Sequence, residues 1–327
     1  MRTRSLLFVA LIGCGGGGTP SSPDGASAAD AAPPDAAPAP WWQPHPGDAR
    51  NWDIQLAAPF ELSAPRTMYT LGLWDVVPSA TTLDYGDGAP VTVPAGALAD
   101  AIATLHATTP RTVVICRVDT GAWEATRPDA GKFPGAGANP PDRPTPPATG
   151  SVIGWSASRP DERFLDIRPA SRDQWAPIIW KRLDLAAQIG CDGVMPDRND
   201  MITSDPGFTL ELVDQESWFR EVAAHAHDRN LSVGMKNGNT IPGLVEALTP
   251  DFDWIVIERC GEYQDCDSAR SFVNARKAAL AIDYLPDADG GGVAAAIACP
   301  RQMTDQIQDG IVKDPEVTSL ARTQCTP

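Results

Sequence analysis

The chain has 327 residues, 43% of them hydrophobic, and a formal net charge of −16 with a pI near 4.6. That length supports one large core, but not two of ordinary size once a low-complexity N-terminal stretch is set aside. A chain this acidic does not attract a polyanion, so nucleic acid is disfavoured as a partner, whereas a cationic substrate would be drawn in.

Met1 to Arg4 is a basic start, and Ser5 to Ile12 is an apolar run too short to span a bilayer as a helix. The run ends Leu11-Ile12-Gly13-Cys14, which resembles a bacterial lipobox. Residues 1–14 are therefore expected to be a lipoprotein-type signal peptide with Cys14 the lipidated residue. An ordinary secretory signal is the alternative, and both readings export the protein. Residues 15–40 are dominated by Gly, Pro, Ala, Ser and Asp and cannot form a core, so they read as a flexible linker. The globular domain is placed at 41–327. The expected location is the bacterial cell envelope (outer membrane or cell surface), or else the medium, with membrane contact only through the lipid.

Seven cysteines are present. Without Cys14 six remain, an even set that in an exported chain reads as disulfides, with fifteen possible pairings. Cys260/Cys266 and Cys299/Cys325 are local candidates, which would leave Cys116 with Cys191. The spacings do not resemble a zinc site.

Asn51 to Leu56 and Thr67 to Trp74 read as the first two strands, with Asp75 just past the second. Gly86-Asp87-Gly88 is a turn, and 95–107 suits a helix. Thr112 to Val118 is a β-branched run, hence a buried third strand. Residues 134–150 are crowded with Pro and Gly and read as a long loop. Arg172 to Ile189 has an apolar stripe of helical period. The fourth strand follows at 192–197, where alternation puts Gly193, Met195 and Asp197 on one face. A helix at 209–230 leads to a fifth strand at 231–235, ending Lys236-Asn237. A short helix at 241–248 leads to the sixth, Trp254 to Ile257, ending in Glu258. A helix at 269–276 and a seventh strand at 278–282 come next.

This alternation means a parallel sheet with crossover helices. Seven strands and a weak last unit fit a single-domain (β/α)₈ TIM barrel, with a doubly wound open sheet as runner-up. No Gly-x-Gly-x-x-Gly follows a strand, which lowers a nucleotide-binding version. Strand-tip carboxylates are where such folds keep their chemistry, so Asp197 and Glu258 are the candidate catalytic pair.

The chain also resembles glycoside hydrolase family 114, the endo-α-1,4-polygalactosaminidases. The resemblance is carried by Trp52-x-x-Gln55-Leu56; by Gly121-x-x-Glu124-x-x-Arg127-Pro-Asp129; by Arg163-Phe-Leu-Asp166-Ile-Arg168; by Gly190-Cys-Asp-Gly-Val194 with Pro196-Asp197; by Val233-Gly-Met-Lys236-Asn237; and by Glu258-x-Cys260-x-x-Tyr263-x-x-Cys266. It implies a TIM barrel in which Asp197 and Glu258 are the catalytic acids. The sequence departs from the family at Gly72, where an aspartate is common, at Arg117 after Cys116, at Met195 before the proline, and at Arg198 after Asp197.

Glycosidic cleavage needs one carboxylic acid at the leaving oxygen and one carboxylate across the sugar. Asp197 is read as nucleophile or base. Glu258 is read as general acid, its pKa raised by partial burial. Lys236 and Asn237 are placed to contact sugar hydroxyls or orient an acid. Tyr263 and Trp123 are candidate stacking surfaces, and Asp200 is a further substrate contact. Glu124, Arg127 and Asp129 read as a structural cluster, Asp192 as structural, and His225 and His227 as a poor metal pair. No metal or organic cofactor is implied. The expected partner is a polysaccharide, a cationic galactosamine polymer being one candidate, cut by a monomer. A catalytically silent carbohydrate-binding barrel and a hydrolase of another exopolysaccharide are the alternatives.

Overall fold

A computed structural model describes residues 39–136, 143, 145–157, 159, 161–198, 200–304 and 309–325. Cys14, the 1–14 signal and nearly all of the 15–40 linker lie outside these residues, as does part of the 134–150 loop.

Eight parallel strands follow one another around a curled sheet in chain order: β1 Asp53–Gln55, β2 Met68–Gly72, β3 Val113–Asp119, β4 Gly193–Asp197, β5 Ser232–Lys236, β6 Trp254–Glu258, β7 Ala278–Tyr284 and β8 Asp309–Lys313. An antiparallel ninth, β9 Arg322–Cys325, pairs with β8. At the seam between the first and last strands, side chains make the connection. Lys313 Nζ meets Asp53 at 2.9 Å, Trp52 Nε1 donates to the Asp309 carbonyl, and the Arg322 guanidinium donates to the Trp52 carbonyl. This is the (β/α)₈ barrel expected from the alternation.

Helices α1 Ala101–His106, α2 Ala176–Ile189, α3 Leu212–His227, α4 Leu244–Leu248, α5 Arg270–Asn274 and α6 Ala295–Thr304 accompany the strands. The strand period sorts the side chains. Val194, Ile255 and Ile257 face outward into the large core beneath the helices. Met195, Trp254 and Val256 face the barrel interior with Trp52, Met68 and Ile115. Trp254 fills the lower barrel because β5 carries Gly234 beside it. A Cβ there would lie 2.2 Å from the Trp254 ring.

Two helix starts differ most from the sequence reading. The helix expected from 95 begins only at Ala101, because the Gly96 and Leu98 amides donate to the Val77 and Asp75 carbonyls instead. The helix expected from Arg172 is split, and α2 starts at Ala176 with Pro177 in its first turn, where a missing N–H costs nothing. Residues 122–124, 153–156 and 162–165 form a separate antiparallel sheet that the sequence reading did not assign. The cysteines pair as Cys116–Cys191, Cys260–Cys266 and Cys299–Cys325. Among the described residues, no helix is long and apolar enough to cross a membrane.

Candidate active site

The tips of β4, β5 and β6 converge on one partly buried cation. Lys236 Nζ lies 2.8 Å from Asp197 Oδ1 and 2.9 Å from Glu258 Oε2. Inward alternation supplies Asp197 and Glu258, and β5 lies between their strands. The residue after each tip turns the chain away in the left-handed region: Arg198 at φ 59°, Asn237 at 57° and Arg259 at 60°. Non-glycine residues adopt this conformation rarely. Here their amides are secured, Arg198 N by Asp197 Oδ1, Asn237 N by the Val256 carbonyl and Arg259 N by the Ile282 carbonyl.

Asp197 is the more enclosed acid. Arg117 Nε donates to its Oδ2 at 2.8 Å, so two cations and one amide hold it. Burial works to raise its pKa, but Lys236, Arg117 and Arg198 outweigh that and keep the carboxyl well below the ordinary range. The Glu258 carboxyl is 23% exposed. Asn237 Nδ2 donates to its Oε2 at 2.8 Å, the Tyr284 hydroxyl donates to its Oε1, and Asn237 Oδ1 accepts its backbone N–H. Burial pushes Glu258 up, yet Lys236 prevails and the net shift is downward. The raised pKa expected for a general acid is thus corrected: the sequence showed an apolar strand, and Lys236 reverses its effect. Lys236 itself is raised by the two carboxylates against the effect of burial.

A cavity of about 390 Å³ opens over this trio. Asp75, Arg117, Arg127, Arg198, Arg259 and Tyr284 contribute to its wall. Behind the wall Asp119, Glu124 and Glu162 bring ligand oxygens within 4.8 Å of one another. Arginines already occupy them: Arg117 reaches Asp119, Arg127 and Arg117 reach Glu124, and Arg198 reaches Glu162. This donor set is therefore built around guanidinium groups. Burial, with Glu124 nearby, pushes the Asp119 carboxyl up to about 8 against the pull of Arg117.

Not every expected contact reaches the cavity. Trp123 is 8% exposed, packed in a satellite core, with Nε1 donating to the Ala130 carbonyl; its ring faces are covered, which corrects its place as a stacking surface. Tyr263 is 65% exposed on a short helical turn and is not among the cavity-lining residues. Asp200 also stands outside the lining, half-buried at the start of a short turn. Asn237 supports Glu258 rather than lining the space. Arg117 and Arg198, noted in the sequence only as departures, are site residues, as is Tyr284. Strand alternation from Asp119 gives Arg117 the same face, a signal that was available.

The fold is that of a barrel with its polar cluster at the C-terminal rim, the layout of barrel enzymes. The chain matches the family model of glycoside-hydrolase family GH114 over residues 31–326, and it belongs to that family of glycoside hydrolases. The crystal structure of Aspergillus fumigatus Ega3 in complex with galactosamine is 25% identical, with a TM-score of 0.65, over 87% of this chain and 97% of that one. The glycoside hydrolase domain of PelA from Pseudomonas aeruginosa shares the fold, at 13% identity and a TM-score of 0.51, over 85% of this chain and 99% of that one. No curated protein sequence matches the chain.

Proposed function

We propose that the protein hydrolyses an amino-sugar polysaccharide internally, in the manner of an endo-α-1,4-polygalactosaminidase, with Asp197 and Glu258 as the catalytic carboxylates. The observation that carries this is the single Lys236 ammonium held between them. Their facing oxygens can be no farther apart than those two contacts laid end to end. Facing oxygens that close suit the ~5–5.5 Å carboxyl separation of a retaining pair better than the ~6.5–9.5 Å of an inverting one. Asp197, held by two cations, stays ionised and is the nucleophile. Glu258 has fewer cations and more exposure, so the pair's first proton goes there, and Glu258 protonates the leaving oxygen. After the glycosyl-enzyme forms, the same Glu258 carboxylate takes a proton from water. Galactosamine bound by Ega3 and the net charge of −16 both support a cationic glycan as substrate.

The test is release of reducing ends from polygalactosamine by wild type, Asp197→Asn and Glu258→Gln. Near-wild-type turnover by either variant sinks the assignment. A barrel that binds glycan without cutting it is the competing reading, favoured by the lowered pKa of Glu258; oligomer binding with no rise in reducing ends would establish it.

Export with a lipid at Cys14 belongs to the same proposal, supported by three disulfides. Labelled palmitate should enter the wild-type chain and not Cys14→Ser. The enzyme is proposed to act as a monomer, which light scattering checks.

A further inference from the structure

Asp75 follows β2 in a 3-10 turn, Leu73–Val76. Its backbone is clamped: Leu98 N donates to the Asp75 carbonyl at 2.7 Å, and Gly96 packs so close that a Cβ there would lie 2.1 Å from that oxygen. Its carboxylate lines the cavity that holds Asp197, Lys236 and Glu258. The other acids of the cavity wall are all engaged. Asp197 and Glu258 share Lys236, whereas the Asp75 carboxylate makes no hydrogen bond or ion pair among the described residues. Burial raises its pKa, opposed by Arg127 and Arg117. Both of these guanidiniums are themselves committed, Arg127 to Glu124 and Arg117 to Asp197 and Asp119.

Gly72 explains how the carboxylate fits. A Cβ on Gly72 would lie 2.3 Å from Asp75 Oδ2, while Asp75 Cγ is 3.4 Å away. Asp75 thus fills the space that a side chain at 72 would occupy, at the position where the sequence departs from the family pattern. The Gly72 backbone is ordinary extended chain, φ −64° and ψ 133°. Glycine is needed there for room, not for conformation.

We propose that Asp75 is the specificity-determining carboxylate of the cavity, receiving the free ammonium group of a deacetylated amino sugar and so favouring it over the N-acetylated sugar. A half-buried carboxylate without a partner bears a desolvation cost that a cationic ligand group offsets and a neutral acetamide does not. The inference rests on the reading of the cavity as an amino-sugar site.

The experiment measures binding of galactosamine and N-acetylgalactosamine by calorimetry at neutral pH, and kcat/KM on deacetylated and N-acetylated oligomers. Wild type should prefer the amine, and Asp75→Asn should lose roughly 10- to 100-fold on the amine with little change on the acetamide. Gly72→Ala should reproduce that loss by pushing the carboxylate aside, and the double variant should add nothing further. A purely structural Asp75 would weaken both ligands alike. No amine preference in wild type, or a preference kept in Asp75→Asn, overturns the inference. If Asp197→Asn and Glu258→Gln still abolish cleavage in that case, the glycosidase reading stands and only the role of Asp75 falls.

Discussion

Strands β4 and β6 each carry an acid at both ends, and the two ends of the barrel treat them differently. At the lower end Asp192 precedes β4 and accepts from the Val114 amide, His106 and Arg111. Asp253 precedes β6 and accepts from the Val233 amide, His227, Trp41 and Gln43. In both cases a neighbouring strand's amide and a histidine fix the carboxylate. At the upper end Asp197 and Glu258 divide one lysine and face a cavity. A carboxylate tied to a neighbouring strand's amide holds strands in register, whereas one tied to side-chain cations beside open space can exchange its partners for a substrate. The residue type is the same, and the second partner decides the role.

The contrast fails first if the upper acids turn out to be structural. Asp197→Asn and Glu258→Gln are each expected to lower kcat on the order of 10³-fold or more while leaving the melting temperature nearly unchanged. Loss of folding instead, seen by circular dichroism, would put them in the same class as Asp192 and Asp253.

Lys236→Met goes to the shared cation. It should lower kcat about 100-fold. It should also move the alkaline limb of the kcat/KM profile upward. In the proposed mechanism Glu258 must be protonated to act, and Lys236 now holds its pKa below the ordinary value, so wild type loses activity as pH rises through this limb. Without the cation that limb shifts to higher pH. A limb that stays in place would remove Lys236 from control of the acid. The same linkage bears on stability. The folded-state pKa of Asp197 is depressed, so its contribution is present above the ordinary carboxylate range and lost as pH falls through the folded value.

Two further substitutions sharpen the structural side. The Cys116–Cys191 bridge closes a loop with a sequence separation of 75. Replacing both cysteines with alanine should cost up to about 4 kcal/mol in urea unfolding. Asp192→Ala strands the Val114 amide and should cost about 1–3 kcal/mol with kcat per folded molecule unchanged. A kcat loss there would mean that the lower end also governs the site. Smallest of all, Tyr263→Ala should leave kcat/KM on polymer within about twofold, since a scattered exposed side chain contributes little.

Much of this was legible along the chain. Alternation alone puts Asp197 with Met195 and Gly193 on the inner face, and the apolar run of β6 ends at Glu258, because strand period and strand ends are local properties. The six cysteines paired as local spacing and remainder indicated. Helix starts were less legible: Pro177 marks the start of α2, but the Leu98 amide is withheld from a helix by Asp75, which lies far from it in sequence. The chain by itself determined a parallel barrel and two acids at strand tips, and it offered candidate disulfide pairs. Only the tertiary structure decided that Lys236 lies between those acids and lowers Glu258, that Arg117 and Arg198 belong to the site, that Trp123 is covered, and that Asp75 occupies the space left by Gly72. Each of these depends on which side chains from distant strands meet in one low-dielectric space, and neither period nor composition encodes that meeting.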